Sequence, residues 1–182
     1  IIRSKEHEMI LQKETLEISI DRKAITNLKN ISFIFEKESV SASRIQFSIH
    51  ENSAIYGFGE RFDSVNQYGK TVALWQRDAC EGCLASIGNQ AYKNIPLVHT
   101  SDGFSFFANT SYRMRMDVGD AVQDYLSVEA LGDVFDFYIW SGTPREAMTA
   151  YGTLTGLPIF PPEWVFEPWA GGGGGRWRNG PL

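Results

Sequence analysis

Along much of the chain, apolar and polar residues alternate one for one. Leu16, Ile18 and Ile20 alternate with Glu17, Ser19 and Asp21, and Ile45, Phe47 and Ile49 with Gln46, Ser48 and His50. Met114, Met116 and Val118 alternate in the same way with Arg113, Arg115 and Asp117. A period of two with one apolar face predicts half-buried β-strands. Two further segments, Ile31 to Phe35 and Val134 to Trp140, are apolar on both faces. That pattern predicts central strands, covered on both sides. Phe104 to Ala108 follows the turn signal Ser101-Asp102-Gly103 and predicts another strand. Many short strands and few helices imply an all-β fold, an antiparallel β-sandwich.

One helix stands out. Thr143 suits an N-cap, Pro144 the first helical position, and Glu146 completes a capping box. Ala147, Tyr151 and Leu154 fall on one face, Gly156 can stop the helix, and Pro158 cannot continue it. The helix is predicted from about Pro144 to Leu154. Leu157-Pro158-Ile159-Phe160-Pro161-Pro162 then reads as a stiff connector. Beyond it come Trp164-Val165-Phe166, Trp169 and five glycines, Gly171 to Gly175. This apolar segment reads as the first strand of a second domain. The predicted division is a sandwich over 1–142, a helix and Pro-rich connector over 143–162, and the start of a further domain over 163–182.

Composition narrows the class. The chain has 182 residues, 43% of them hydrophobic and 13% aromatic, enough to build a core without disulfides. A net charge of -5 and the lack of any Lys/Arg cluster exclude a nucleic-acid surface. No apolar run approaches the roughly 18 residues of a membrane helix. The chain opens Ile1-Ile2-Arg3 without Met, as an excised or processed segment would. Its two cysteines, Cys80 and Cys83, form one CEGC, half of what a zinc site requires, and the three histidines are scattered. No metal or cofactor is expected.

Templates for catalysis mostly fail. There is no GxSxG, and the glycine run lacks the Lys-Ser/Thr of a phosphate loop. Tyr56-Gly57-Phe58-Gly59-Glu60-Arg61 is distinctive; its plain reading is a strand end whose Glu60 is salt-bridged. Trp75-Gln76-Arg77-Asp78 lies in a stretch without periodicity. A ring face beside an Arg and an Asp is a way to hold a sugar, by its C–H surface and its hydroxyls. An exposed loop tryptophan is equally consistent with those residues.

Taken in order, these segments resemble the N-terminal β-sandwich domain of glycoside hydrolase family 31, which contains α-glucosidases and α-xylosidases. Tyr56 to Glu60 resembles its YGxGE element, and Asn66 to Lys70 with Trp75 and Asp78 the stretch ending W-x-x-D. Tyr92-Lys93-Asn94-Ile95-Pro96 resembles a YxxIPF segment, with Leu97 in place of Phe. Phe135 to Tyr138, Gly142-Thr143-Pro144 with Leu154-Thr155-Gly156, and Pro161-Pro162-Glu163-Trp164 resemble the DxY strand, the TP…LTG connector and the PPxW approach to the barrel. The resemblance implies a galactose-mutarotase-like sandwich followed by a truncated first strand of a (β/α)8 barrel. It implies retaining hydrolysis of α-linked glucosides or xylosides, with two catalytic aspartates on that barrel beyond residue 182. No catalytic residue is therefore assigned here, and the segment alone is expected to be inactive. The resemblance places Asp78, Trp75 and Arg77 in a loop that shapes the leaving-group side of the substrate site, and Trp169 near the sugar. The implied partners are an α-linked oligosaccharide or glycoside and the remaining catalytic barrel. The alternative is a stand-alone, lectin-like carbohydrate-binding sandwich without catalysis.

Overall fold

The computed structural model describes residues 2–3, 8–11, 17–20, 23–76, 91–133 and 136–169. In chain order the strands are β1 (Ile2–Arg3), β2 (Glu8–Leu11), β3 (Glu17–Ile20), β4 (Lys23–Glu36), β5 (Ser39–Ser48) and β6 (Ile55–Gly59). They continue with β7 (Lys70–Leu74), β8 (Asn94–Thr100), β9 (Phe104–Ala108), β10 (Met114–Val118), β11 (Tyr125–Leu131) and β12 (Phe137–Ser141). Helix α1 spans Pro144–Thr155, and a 3-10 turn spans Glu163–Phe166. One sheet has the order β1-β2-β3-β4-β5-β11-β10-β7, the other β12-β9-β8-β6, and every strand pairing is antiparallel. The antiparallel sandwich is thus present.

The alternating patterns explain the core. Ile45 and Phe47 of β5, Met114, Met116 and Val118 of β10, and Leu126 and Val128 of β11 turn to one side of the large sheet and are fully buried. The small sheet meets them with Val98, Phe104 and Phe106. Phe47 joins the two layers, with its ring centroid 5.1 Å from Phe106 and 6.2 Å from both Phe104 and Phe137. Each such ring contributes roughly 1.5–3 kcal/mol by leaving water.

Both segments predicted as doubly covered central strands differ from expectation. Ile31, Phe33 and Phe35 of β4 are 54%, 48% and 65% exposed. Ile31 lies opposite Ile45, so this face belongs to the core side of the sheet. The ladder from β3 reaches β4 only as far as Asn27, and the far half of β4 leaves its apolar face uncovered. In the second segment, β12 pairs only with β9 and stands at the edge of the small sheet among the described residues. Phe137 and Ile139 lie against the core, while Tyr138 stacks between Phe107 and Trp140 at 6.1 and 6.0 Å on the other face. Its residues are half-buried throughout.

The predicted helix is found with its capping box closed in both directions. Glu146 Oε2 accepts from the Thr143 backbone N–H and hydroxyl, both at 2.8 Å, and the Glu146 N–H donates to Thr143 Oγ1 at 3.3 Å. Gly156, at φ +96°, ends it. Ala147 is buried and Tyr151 half-buried, but Leu154 is 45% exposed, so the expected apolar face is incomplete. Residues 151–182 form a unit separate from 1–150. Within it the segment Trp164 to Phe166, expected as the start of a strand, is instead part of a 3-10 turn over Glu163–Phe166. There the Val165 N–H donates to the Pro162 carbonyl, and Trp169 donates its indole N–H to the Val165 carbonyl at 3.0 Å, with Trp164 and Trp169 5.5 Å apart.

Candidate functional site

The segment Tyr56 to Arg61 builds one end of the small sheet. Gly57, Phe58 and Gly59 all take positive φ, at +113°, +68° and +82°. The pairing of β6 with β8 shifts register between Gly57 and Gly59. A Cβ on Gly57 would come within 2.2 Å of the Leu97 carbonyl oxygen, and one on Gly59 within 2.1 Å of that of Lys93. Glycine is required at both positions for conformation and for space. Between them Phe58, strained in the left-handed region, drives its ring fully into the core. The Glu60 N–H then donates to the Lys93 carbonyl at 2.8 Å.

This bulge delivers Arg61, and among the described residues Glu60 makes no salt bridge. Arg61 Nη2 donates to Asn94 Oδ1 at 2.6 Å and to the Phe58 and Ala73 carbonyls at 3.3 and 3.4 Å. Burial lowers the Arg61 guanidinium below its ordinary pKa, with the nearby Asp63 carboxylate opposing. Asp63 is itself engaged by Lys70 at 2.7 Å and Gln67 at 3.0 Å. Burial alone would raise its carboxyl, but the hydrogen bonds from Lys70, Gln67 and the Ser64 backbone, and the Lys70 charge, bring it down to about 2.

Asn94 opens β8 and clasps the end of β7. Its backbone N–H and side-chain Nδ2 both donate to Gln76 Oε1 at 2.9 Å, and Nδ2 also reaches the Ala91 carbonyl at 3.1 Å. Gln76 and Ala91, which bracket the segment 77–90, are joined by a parallel bridge. Above the clasp lies a cleft of about 300 Å³, lined by Trp75, Gln76, Asn94, Pro96, Ser111 and Tyr112 among others. Two large rings face solvent here, Trp75 at 52% and Tyr112 at 64% exposure. Exposed rings beside amide and hydroxyl groups suit a ligand that is apolar on one face and hydroxylated at its rim.

Of the sequence-predicted site residues, Trp75 is in this cleft. Arg77 and Asp78, with Cys80 and Cys83, lie outside the described residues. Trp169 belongs to the separate unit 151–182. Sequence reasoning missed Tyr112, Asn94 and Arg61 as parts of the site. Asn94 lies inside the Tyr92-to-Pro96 motif, but nothing in the pattern before Met114 singles out Tyr112. A second, smaller concavity of about 170 Å³ lies on the other side of the large sheet, over Arg44, Arg115, Asp117, Tyr125 and Glu129. Of its charges, Arg44 pairs with Glu129, and Asp117 accepts from the Thr71 hydroxyl and the 120–121 backbone N–H groups. Among the described residues, no cluster of three or more His, Cys, Asp or Glu could hold a metal ion.

The fold is an antiparallel β-sandwich with one edge built on glycines. Residues 1–117 match the glycosyl hydrolase 31 N-terminal galactose mutarotase-like domain, and the chain belongs to that family. It is 34% identical over 131 residues to alpha-xylosidase XylQ of Lactiplantibacillus pentosus, covering 71% of this chain and 16% of that protein. It is 26% identical over 136 residues to an alpha-xylosidase of Emericella nidulans, covering 74% and 16%. The solved cycloalternan-forming enzyme of Listeria monocytogenes, bound to a pentasaccharide, superposes with a TM-score of 0.76 at 21% identity, over 88% of this chain and 16% of that one. The chain therefore spans about a sixth of the length of these proteins.

Proposed function

We propose that this chain is the substrate-shaping N-terminal domain of a retaining family 31 glycoside hydrolase that acts on α-linked glucosides or xylosides. The observation that carries the reading is the family match over 1–117, joined to relatives that are α-xylosidases and of which this chain forms about 16%. A catalytic (β/α)8 portion supplies the two carboxylates, and residues 163–182 form its beginning, reached through the connector 143–162. The partners are that portion and an α-linked oligosaccharide or glycoside.

Within this role Trp75 offers a ring face to the leaving-group sugar, Asp78 and Arg77 bind its hydroxyls, and Trp169 approaches the sugar from the barrel side. The exposed rings of the cleft support the role of Trp75. Asp78 binds rather than transfers a proton. Replacing it by Ala in the complete enzyme should remove charge-assisted hydrogen bonds of about 1.5–3 kcal/mol. Disaccharide turnover then falls roughly ten- to hundredfold. An activated aryl glycoside, less dependent on that subsite, loses less. Equal and complete loss on both substrates would make Asp78 catalytic or structural instead. The 182-residue chain by itself should show no turnover of aryl α-glucosides or α-xylosides, and sustained turnover by the purified chain would overturn the reading.

A further inference from the structure

We propose that Tyr112 contacts substrate: with Trp75 it grips the leaving-group sugar by its apolar C–H surface. The proposal rests on reading the cleft as a sugar subsite. Strands β7 and β10 pair from Lys70 with Val118 to Leu74 with Met114, and there the ladder stops. In a continued ladder Trp75 would meet Arg113, and Gln76 would meet Tyr112. Instead the two strands part. The Arg113 carbonyl stays with β11, accepting from the Leu131 N–H at 3.1 Å. Gln76 turns toward β8, bridging to Ala91 and accepting from the Asn94 N–H at 2.9 Å. The cleft is the fork opened in this way. Leu74 and Met114, both buried, close its base, while Trp75 and Tyr112 stand on its two arms.

Tyr112 is exposed but its turn is held. Its N–H donates to Thr110 Oγ1 at 3.2 Å. Asn109, at the head of the turn, is fixed to Asp136 through backbone and side chain, at 2.9 and 2.6 Å. The tyrosine ring runs beside Gly132, where a Cβ would lie 3.5 Å from Cε2. A ring that is 64% exposed contributes little to the core, and one already held in place loses little freedom when a ligand covers it. The polar groups nearby are largely taken. The Asn94 amide is bonded to Gln76, Ala91 and Arg61, and Thr110 Oγ1 receives the Tyr112 N–H. What the fork offers a ligand is therefore chiefly two aromatic rings over an apolar base. A pyranose has matching C–H surface and keeps its hydroxyls at the rim. The contact uses the ring of Tyr112, so its hydroxyl is dispensable.

The test compares two substrates in the complete enzyme. One is maltose or α-xylosyl-glucose, whichever it cleaves faster; both carry a leaving-group sugar. The other is the matching α-glycosyl fluoride, which carries none. Tyr112→Ala should lower kcat/KM on the disaccharide roughly tenfold and leave the fluoride within about twofold. Tyr112→Phe keeps the ring and should hold the disaccharide within about twofold of the parent. Tyr112→Leu fills the space without a flat ring face; if the alanine variant does not fold, it decides in its place and should show most of the same loss. Parent-like disaccharide turnover in the folded variant overturns the proposal. So does an equal loss on both substrates, which would place the effect on the fold or the reacting centre. An enzyme that turns over neither substrate defeats the α-glycosidase reading but leaves Tyr112 testable by NMR of the 182-residue chain titrated with maltose. Joint shifts of the Tyr112 and Trp75 ring signals support its role. Shifts at Trp75 alone, or at neither ring, overturn it.

Discussion

Two apolar-rich strand pairings of the sandwich are built on opposite terms. The β4–β5 pairing is long and, apart from two register shifts, regular, yet it leaves Ile31, Phe33 and Phe35 open to solvent. The β6–β8 pairing is short, carries three consecutive residues at positive φ, and surrounds a buried guanidinium, yet Phe58 and Val98 within it are fully buried. A regular ladder gains little from burial on its uncovered half. The distorted one accepts backbone strain of about 1–3 kcal/mol at Phe58 and a desolvated charge. Strain and buried charge persist only where surrounding packing imposes them, and here they sit directly beneath the aromatic cleft. The contrast distinguishes a segment that merely continues a sheet from one that holds a site in shape.

The sharpest way to break this contrast is at Gly59. Alanine there must keep a φ of +82° and place its Cβ 2.1 Å from the Lys93 carbonyl oxygen, which is backbone and cannot swing aside. A loss of about 5 kcal/mol or more is expected, enough to unfold many domains of this size. Circular dichroism of Gly59→Ala should show the loss of cooperative melting, and an unchanged melt would mean that the bulge relaxes freely. Next, Phe58→Ala removes a fully buried ring and should cost about 3–5 kcal/mol by denaturant titration. A cost below about 1 kcal/mol would indicate that relief of strain at φ +68° offsets most of the lost packing.

Acid should destabilise the sandwich in two windows, one from a buried histidine and one from an exposed carboxylate. His99 of β8 is buried against Ser105, 2.8 Å away, and burial lowers its pKa below the ordinary value. The unfolded chain then takes up this proton first. Stability from neutral His99 is full above about pH 6.5 and declines as the pH falls below it. Asp63, held at about 2, contributes at any pH above its ordinary 3.8, and that contribution is lost as the pH falls from there toward 2. Unfolding free energy measured against pH should show both declines, with the upper one absent in His99→Gln. The smallest effect is expected on the regular β4–β5 ladder. Phe33→Ser, at a site 48% exposed, removes a ring that is about half buried and should cost only about 1 kcal/mol. A loss above about 2 kcal/mol would show that the β4 stripe is covered in solution.

Whatever depends on neighbours along the chain is legible in the residues alone. Alternation at Ile45, Phe47 and Ile49, or at Met114, Met116 and Val118, reports which face is buried, because successive side chains of a strand point to opposite sides. The Thr143–Glu146 box marks the helix start, since its partners are three residues apart. Coverage is different. Ile31 to Phe35 and Phe137 to Trp140 look alike as apolar runs, but one is exposed on its core-side face and the other stands at a sheet edge. An apolar run states that burial would be favourable and says nothing about whether another layer is available to provide it. The cleft is legible only at Trp75. Its other parts converge from distant places, with Asn94 and Pro96 coming from β8 and Tyr112 from the segment before β10. The glycines of Tyr56-Gly57-Phe58-Gly59 are visible as a motif, but their purpose is not. Only the tertiary structure sets the Lys93 and Leu97 carbonyls against them, because that approach is fixed by the pairing of two strands some 35 residues apart and not by either strand's own sequence.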